Sequence, residues 1–400
     1  MNDRSRHQEA VMGLAETYDH FAPEFARDPF GLWASLRTEE PVARSECHGG
    51  FHVVTRYADI DRAARDPETF TSTDGTGIPA LPMVGMIPID IDPPAQRAYR
   101  KVMDPALTIG PVMEREAAIR QLATDLIDPL VGRAQFDAAQ DLAIFLPPRA
   151  TLGFLGFPEE DHELMRLATD DVTRLRGQDT PRIMEAGGEM IMTCVKLVNA
   201  RRAAAPQDDL LQLLLDGEFE GRPLKDEEIV QYLSVLLFGA IDTTASAIAG
   251  SIWYLATHPE DQARLRELDE IPNAALDELL RWVSPLQGLG RTVTKDTELG
   301  GCPLHAGDRV LLMWASGNRD ESVFESPDDV DLDRRPNRHL AFGMGPHRCA
   351  GVHLGKLMMR VALEEFLQRI GPFELGEGEL VWLGGEARGL RAVPIRPVAA

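Results

Sequence analysis

The chain has 400 residues, a formal net charge of -23 and a sequence pI near 4.8. This acidity argues against nucleic acid as a partner, because polyanion binding relies on clustered Lys and Arg side chains. Hydrophobic residues make up 44% and charged residues 26%, which is typical of a water-soluble globular protein with a large core. No linker divides the chain, so a single domain covering residues 1–400 is expected.

The N-terminal segment and the cysteines bear on the compartment. The opening residues lack an apolar signal region, and no stretch reaches about 18 uninterrupted apolar residues, so neither export nor a membrane span is expected. The four cysteines form no CxxC pair and lie far apart, at Cys47, Cys194, Cys302 and Cys349. This spacing favours reduced thiols over a disulfide framework, so we expect a cytoplasmic protein.

Helical patterns dominate the first half of the chain. Before residue 90 the predicted elements are helices at 29–38 and 57–65, a strand at 51–55, and a loop rich in Gly, Pro and Met at 71–90. A loop of that length with neither helical nor strand periodicity is often functional. Pro93 and Pro94 then open a further helix, for which Asp92 is the expected N-cap.

The longest apolar pattern runs from residue 226 to residue 257 and is hydrophobic on almost every face, which indicates a buried helix. Gln231, Asp242 and Thr243 interrupt it, so a bilayer span is not expected. Later patterns predict strands at 291–294 and 309–313, an irregular stretch at 322–337, and a last helix from about Ala350. Together these elements predict a mainly α protein with a minor β region.

Residues 342–351, FGMGPHRCAG, are the most informative segment of the chain. Glycines permit positive φ angles and let the backbone approach a flat cofactor closely, so this loop can present one sulfur atom. Backbone N–H groups and the start of the following helix are expected to favour the thiolate of Cys349 over the thiol. Cys349 is therefore a predicted metal ligand.

Other interpretations of this loop have to be weighed. An isolated cysteine is more often a small buried hydrophobe than a ligand. A zinc site could use His347, Cys349 and His353, with His339 as the nearest fourth ligand, but it would not require Phe342 or the glycines. The glycines also do not form a GxGxxG dinucleotide fingerprint after a strand. A haem-thiolate site accounts for the whole pattern.

The segment FGMGPHRCAG resembles the cysteine-loop signature of the cytochrome P450 family, and the resemblance extends over nearly the whole chain. The helix in DPPAQRAYR is similar to that of bacterial camphor hydroxylase-type members. The resemblance implies a triangular, mainly α prism with haem b between the long central helix and the helix after the cysteine loop. Cys349 is then the iron ligand, and Phe342, Gly343 and Gly351 contact the haem.

The resemblance also implies partners for the two haem propionates. These are Arg100, Arg291 and His347, together with Gln96, which stands where many members of the family have His. The local charge agrees, because residues 334–360 contain six Lys or Arg, three His and no Asp or Glu. A basic stretch in an acidic protein favours an anionic ligand.

The segment FGAIDTT in the long helix resembles the oxygen-activation segment of the family. A carboxylate and a hydroxyl inside an apolar helix cost free energy unless they are used or satisfied. A threonine bonded to the backbone and an ion-paired Asp242 would satisfy them equally well. The resemblance implies instead that Asp242 and Thr243 relay protons, with Ala240 against the haem. Members more often have Ala–Gly where this chain has Gly239–Ala240.

Glu278 and Arg281 are three residues apart and can pair on one helix face. Such pairs are common on solvated helices and carry little information alone. In the resembled family a Glu–Arg–Arg arrangement fastens the region beneath the haem. The resemblance therefore gives Glu278, Arg281 and Arg334 a structural role.

The resemblance implies a haem-thiolate monooxygenase that inserts one oxygen atom of O2 into a small organic substrate. Substrate choice is expected to depend on residues 71–90, 159–200, 236–240 and 286–289. The 71–90 loop has no Lys or Arg, and its apolar residues are Ile78, Leu81, Met83, Val84, Met86 and Ile87. An apolar substrate of terpenoid size is expected, such as a natural-product intermediate. Camphor is disfavoured, because the loop lacks the Tyr donor of camphor hydroxylases.

No flavin or ferredoxin domain accompanies these motifs, so electrons are expected from a separate ferredoxin served by an NAD(P)H-dependent reductase. Arg97, Lys101, Arg348 and Lys356 form a candidate docking surface for that acidic protein, although an ordinary solvated surface would give the same pattern.

Two further functions remain open at this point. A haem-binding sensor or carrier would keep the cysteine and the propionate partners but would not need Asp242 and Thr243. A peroxide-driven haem-thiolate peroxygenase would need no redox partner and usually has a different acid–base arrangement on the long helix. Retention of both side chains favours O2 as the oxidant.

Overall fold

A computed structural model describes residues 13–81, 85–176 and 178–398. Helices dominate it, as predicted. After a short helical segment at residues 13–16, the α-helices are α1 Pro23–Arg27, α2 Phe30–Glu39, α3 Tyr57–Arg65, α4 Ala95–Met103, α5 Ile109–Met113, α6 Glu116–Ile127, α7 Leu146–Leu155, α8 Glu159–Arg174, α9 Thr180–Arg202, α10 Leu210–Leu215, α11 Asp226–Thr257, α12 Pro259–Arg266, α13 Asn273–Val283, α14 Trp314–Gly317 and α15 Val352–Ile370.

The strands form one larger sheet and several small ones. They are β1 Val42–Ser45, β2 Phe51–Val54, β3 Phe70–Thr71, β4 Phe136–Asp137, β5 Glu218–Phe219, β6 Arg222–Pro223, β7 Leu289–Val293, β8 Thr297–Leu299, β9 Cys302–Leu304, β10 Arg309–Leu312, β11 Phe373–Leu375, β12 Val381–Leu383, β13 Gly389–Ala392 and β14 Pro394–Pro397. The larger sheet has the order β1-β2-β10-β7-β3, and only the β2–β10 pair is parallel. The others are β11-β14-β4 and the hairpins β5-β6, β8-β9 and β12-β13.

Helix α11 lies in the centre of the helical layer, where it packs against α7, α9, α13 and α15. A Cβ at Gly250 would lie 2.7 Å from Val283 Cγ1, so glycine lets α11 and α13 approach closely. Among the helices of the described residues, α11 is the one that is long and apolar enough to pass as a membrane span. Because 61% of its most apolar window is buried inside the protein, the pattern is that of a core helix.

The structure confirms most of the predicted elements within one or two residues, but the predicted cap of α4 is wrong. The N-cap position is Pro94, and no side chain bonds to the first turn. The Asp92 carboxylate instead accepts hydrogen bonds from the Thr71 hydroxyl and from the Ser72 N–H at 3.1 Å. Asp92 thus fastens the 71–90 loop to the start of α4.

Glu278 and Arg281 on α13 form a fully buried ion pair, with Nη2–Oε1 and Nε–Oε2 distances of 2.8 Å. Arg334 Nε lies 3.0 Å from Glu278 Oε1, so the three residues do come together. Burial raises the pKa of Glu278. Hydrogen bonds from Arg281 and the Asp331 N–H outweigh that effect and hold the pKa below its ordinary value. The cluster fixes the irregular stretch before the cysteine loop against α13.

Candidate functional site

The cysteine loop is a tight turn held by its own backbone. The Cys349 N–H donates to the Phe342 carbonyl at 2.9 Å, and Gly343 and Gly345 have φ angles of 65° and 71°. A Cβ at Gly345 would lie only 2.2 Å from the Ala64 carbonyl oxygen, so α3 and the loop could not pack with any other residue there. The role predicted for these glycines in shaping the loop is confirmed.

Cys349 lies three residues before α15 and lines a cavity between α11 and α15. Burial raises the pKa of the Cys349 thiol, against the opposing effects of the Gly351 N–H and the charges of Arg100 and Arg348. The Gly351 N–H and the two arginine charges thus favour the thiolate, and burial opposes them. A metal ion that binds the sulfur would itself displace the proton.

The cavity around Cys349 is lined by residues of α11, by the cysteine loop and by further apolar side chains. The wall from α11 contains Leu236, Gly239, Ala240, Thr243 and Thr244. The wall from the loop contains Phe342, Gly343, Cys349 and Gly351. Further apolar residues of the lining are Met103, Leu286, Leu289 and Met358. A flat, mostly apolar ligand with one metal centre suits these surfaces, and the residues predicted to contact the haem faces all line the cavity.

One edge of the cavity carries a buried cation. Arg291 on β7 is 2% exposed and also lines the cavity, and its Nη1 donates to the Gly290 carbonyl at 2.7 Å. No carboxylate of the described residues lies within ion-pair distance of it. Burial lowers the pKa of Arg291 to about 10, so the guanidinium is still charged at pH 7. A buried cation that lines a cavity without an anionic partner suits a propionate.

The other predicted propionate partners lie at the same edge. Arg100 Nη1 donates to the Arg348 carbonyl, and Gln96 Nε2 to the Pro346 carbonyl, both at 2.8 Å. These two side chains therefore also brace the cysteine loop. Burial and the charge of Arg291 lower the pKa of His347 to about 4, and its Nε2 lies 3.3 Å from the Ser72 hydroxyl.

The zinc alternative finds no support in the described part of the chain. The only group of three side chains there that could share a metal ion is Asp19, His20 and His48, which does not include Cys349. His339 instead lies 3.2 Å from the Asp277 carboxylate.

On α11, Thr243 faces the cavity, whereas Asp242 does not line it. Thr243 Oγ1 donates to the Gly239 carbonyl at 2.7 Å, and Asp242 Oδ1 accepts from Arg391 at 2.8 Å. The same Arg391 nitrogen lies 2.6 Å from Asp170 Oδ1. Burial raises the pKa of Asp242 to about 6, while the ion pair with Arg391 favours the charged carboxylate. Arg391 follows the last long helix and belongs to no motif, so it could not be identified from the sequence.

A second cavity adjoins the first. The two share Thr76, Met86, Phe238 and Glu386, and the second continues along α9 and the N-terminal half of α11. The four predicted substrate segments all contribute residues to these cavities. Leu81 and Met86 line the second cavity, Ile78 and Ile87 are buried in the core instead, and Met83 and Val84 lie outside the described residues.

A broad groove on the surface beside the cysteine loop contains six Lys or Arg and three Asp or Glu, an unusual balance in an acidic chain. Three predicted docking residues, Arg97, Arg348 and Lys356, line it, but Lys101 does not. Lys356 is engaged by Asp277 at 2.8 Å. The exposed Arg338 lies in the groove as well, although it was not among the predicted docking residues.

Comparisons with known proteins agree with this geometry. A family model described as Cytochrome P450 matches residues 160–375. A steroid C26-monooxygenase of Mycolicibacterium smegmatis is 34% identical over 91% of this chain and 93% of its own length, and a linalool 8-monooxygenase of Pseudomonas putida is 33% identical over 87% and 90%. The crystal structure of CYP109E1 from Bacillus megaterium in complex with testosterone superposes with a TM-score of 0.86 at 27% identity, covering 94% of this chain and all of that one.

The fold, the cysteine loop and these similarities define a class: the chain belongs to the cytochrome P450 family. It is a P450 monooxygenase whose cofactor is haem b. The residues of the cavity fit that group, because a thiol, two apolar walls and an unpaired buried cation surround the space that the flat ring requires.

Proposed function

We propose that the protein hydroxylates or otherwise oxidises an apolar substrate of terpenoid to steroid size, using electrons from a separate ferredoxin and its NAD(P)H-dependent reductase in the cytoplasm. The observation that carries this proposal is the continuity of the Cys349 cavity with a second cavity lined by α9 and α11. The relatives named for steroid and linalool oxidation support this size range.

In this proposal Cys349 ligates the haem iron, and Phe342, Gly343, Gly351 and Ala240 contact the ring. Arg100, Arg291, His347 and Gln96 hold its propionates. When bound, haem b supplies the chemistry that activates O2. One oxygen atom enters the substrate and the other leaves as water, with two electrons and two protons consumed.

The two protons have to reach a cavity that is otherwise apolar. Asp242 has access to the polar cluster of Arg391 and Asp170 on one side of α11, while Thr243 faces the cavity on the other. Adjacent positions of one helix thus link a carboxyl of raised pKa to a hydroxyl at the site. A sensor or carrier would have no use for this link.

Replacing Thr243 with alanine is expected to leave the haem bound but to uncouple the reaction. Product formed per NADPH should fall at least about tenfold, since a positioned proton donor contributes that much or more, and hydrogen peroxide should replace the product. Thr193→Ala is the matched control, because Thr193 makes the same bond to a helix carbonyl, at 2.8 Å, outside both cavities. Normal coupling in Thr243→Ala would remove Thr243 from the mechanism.

Electron entry is tested at the groove. The exposed residues Arg97 and Arg338 are better targets than Lys356, which Asp277 already engages, or Arg348, which also borders the haem cavity. Arg97→Glu/Arg338→Glu should raise the KM for ferredoxin about tenfold, with a weaker dependence on salt. Lys196→Glu/Lys295→Glu makes the same change of charge elsewhere on the surface and should have no such effect. Equal KM values for the two variants would refute docking at the groove.

The whole proposal is tested by turnover under labelled dioxygen. Steroids and terpenoids that shift the haem from low to high spin are first selected optically. They are then incubated with ferredoxin, reductase and NADPH under 18-oxygen gas. We expect one labelled atom in the product, and no product from peroxide alone. Spin shifts without any product would favour the sensor or carrier, and efficient turnover with peroxide alone would favour the peroxygenase.

A further inference from the structure

Two histidines and a carboxylate meet beside the larger sheet. Asp19 and His20 precede α1, and His48 lies in the turn between β1 and β2. One nitrogen or oxygen atom of each side chain lies within 4.8 Å of those of the other two. Of these, His48 Nε2 and Asp19 Oδ1 are 2.8 Å apart. None of the three residues lines the haem cavity or the second cavity, so the proposed reaction does not account for the cluster.

Hydrogen bonds fix the backbone on both sides of the cluster. The Ser45 hydroxyl on β1 donates to the Tyr18 carbonyl at 2.8 Å. The Gly385 N–H, between β12 and β13, donates to the His20 carbonyl at 2.7 Å. The segment that carries Asp19 and His20 is therefore held in place by two sheets, and side chains on fixed backbone form a metal site at a lower entropy cost.

His20 is the least satisfied member of the cluster. It is 1% exposed, and neither ring nitrogen has a hydrogen-bond partner of normal geometry among the described residues. The Ile78 backbone favours a proton on the ring, and a proton held there would leave the other nitrogen free to bind a metal. Phe21 and Phe51 pack against the ring, with centroids 4.5 and 6.1 Å away. A metal bond would satisfy a nitrogen that these neighbours cannot.

An ion fits among the three side chains. Atoms within 4.8 Å of one another have a common point within about 2.8 Å of each, and zinc requires about 2.0–2.2 Å to imidazole nitrogen or carboxylate oxygen. Side-chain shifts of less than about 1 Å therefore complete the three contacts. Solvent reaches the cluster from the side of His48 and Asp19, whose side chains are 14% and 30% exposed. A water molecule on that side can serve as the fourth ligand.

The charges and the donor atoms limit which ion binds. Arg176 is a cation whose charge acts on His20, but it is paired with Glu386. Asp19 then contributes the negative charge that a divalent cation needs. Two imidazoles and one carboxylate favour zinc over magnesium or calcium, which prefer oxygen ligands.

We propose that Asp19, His20 and His48 bind one zinc ion, which fastens the segment before α1 to the turn between β1 and β2. Binding replaces the hydrogen bond between His48 and Asp19 with two metal bonds and releases the proton of His48 Nε2 to solvent. The ion is a structural cross-link and takes no part in oxygen chemistry. This inference is therefore independent of the proposed function.

Zinc binding is measured on the holoenzyme, which is first treated with a chelator and then titrated with zinc chloride in a calorimeter. The parent protein should bind one ion in a distinct tight step. His20→Phe keeps an aromatic ring in the same surroundings, and Asp19→Asn keeps the shape of the carboxylate. Each should weaken the step at least about 100-fold, because loss of an outer partner of a ligand already costs about 10–100-fold.

His52→Phe is the matched control. His52 is also buried and also has an unpaired ring nitrogen, but it does not belong to the cluster. This variant should keep the tight step. The proposal would be overturned by a parent protein without a tight step, or by a step of equal strength in His20→Phe and Asp19→Asn.

Crystals grown with zinc locate the ion by anomalous scattering at the zinc edge. We expect a peak bounded by Asp19, His20 and His48, and its absence there would contradict the assignment. Thermal unfolding tests the cross-link. At a free zinc concentration 100 times the Kd, the Tm of the parent should rise by about 3 °C. The same rise in Asp19→Asn would count against the cross-link, provided that an unchanged carbon monoxide spectrum shows this variant to be folded.

Discussion

Replacing Cys349 with serine is expected to reduce turnover to at most about one-thousandth of the parent value, a change of roughly 4 kcal/mol in activation free energy. A serine hydroxyl does not ionise at neutral pH, so the electron donation that a thiolate gives to haem iron is lost. The walls and the cation Arg291 remain, so the haem should still bind. Turnover and the haem content of the purified variant are the two measurements.

Cys302→Ser is the matched control. Cys302 lies on β9, outside both cavities, and the hydrogen-bond partner of its sulfur is the Pro303 carbonyl, at 3.6 Å. This variant should keep the parent turnover. Comparable activity in the two variants would show that the Cys349 sulfur is not the iron ligand.

Replacing Glu278 with alanine should lower the free energy of unfolding by about 3–5 kcal/mol, which is the usual cost of stranding a buried charge. Arg281 is fully buried and Arg334 nearly so, and both lose their shared carboxylate. A loss of that size is a large share of the roughly 5–15 kcal/mol by which native proteins are stable. Urea unfolding of the holoenzyme measures it.

The exposed pair of Arg264 and Asp333 provides the comparison. Its side chains are 49% and 72% exposed, and exposed pairs contribute at most about 1 kcal/mol. Asp333→Ala should therefore unfold near the parent midpoint. If Glu278→Ala were as stable as Asp333→Ala, the cluster would not hold the region before the cysteine loop.

The sequence was most informative where function depends on short segments. The cysteine loop, the FGAIDTT segment and the pair of Glu278 and Arg281 each lie within ten residues, so their spacing is visible without a structure. The α11 helix was also predictable, because its long apolar pattern fits a buried helix and shows no strand periodicity. Such local signals determined the family and the main site.

Contacts between distant segments could not be predicted. Arg391 meets Asp242 across 149 positions, and Arg176 meets Glu386 across 210. A single charged residue outside any motif has no pattern that marks its partner. The same limit explains the error at Asp92. Its carboxylate could have capped the nearby helix α4, but it accepts hydrogen bonds from Thr71 and Ser72, about 20 residues earlier.

The direct test of the account is the absorbance of the purified, haem-loaded protein after reduction and exposure to carbon monoxide. Ligation by the Cys349 thiolate predicts the strongly red-shifted Soret band that distinguishes this family from haem proteins with a histidine ligand. A Soret band at the position typical of histidine-ligated haem, in folded protein with full haem content, would contradict the central claim.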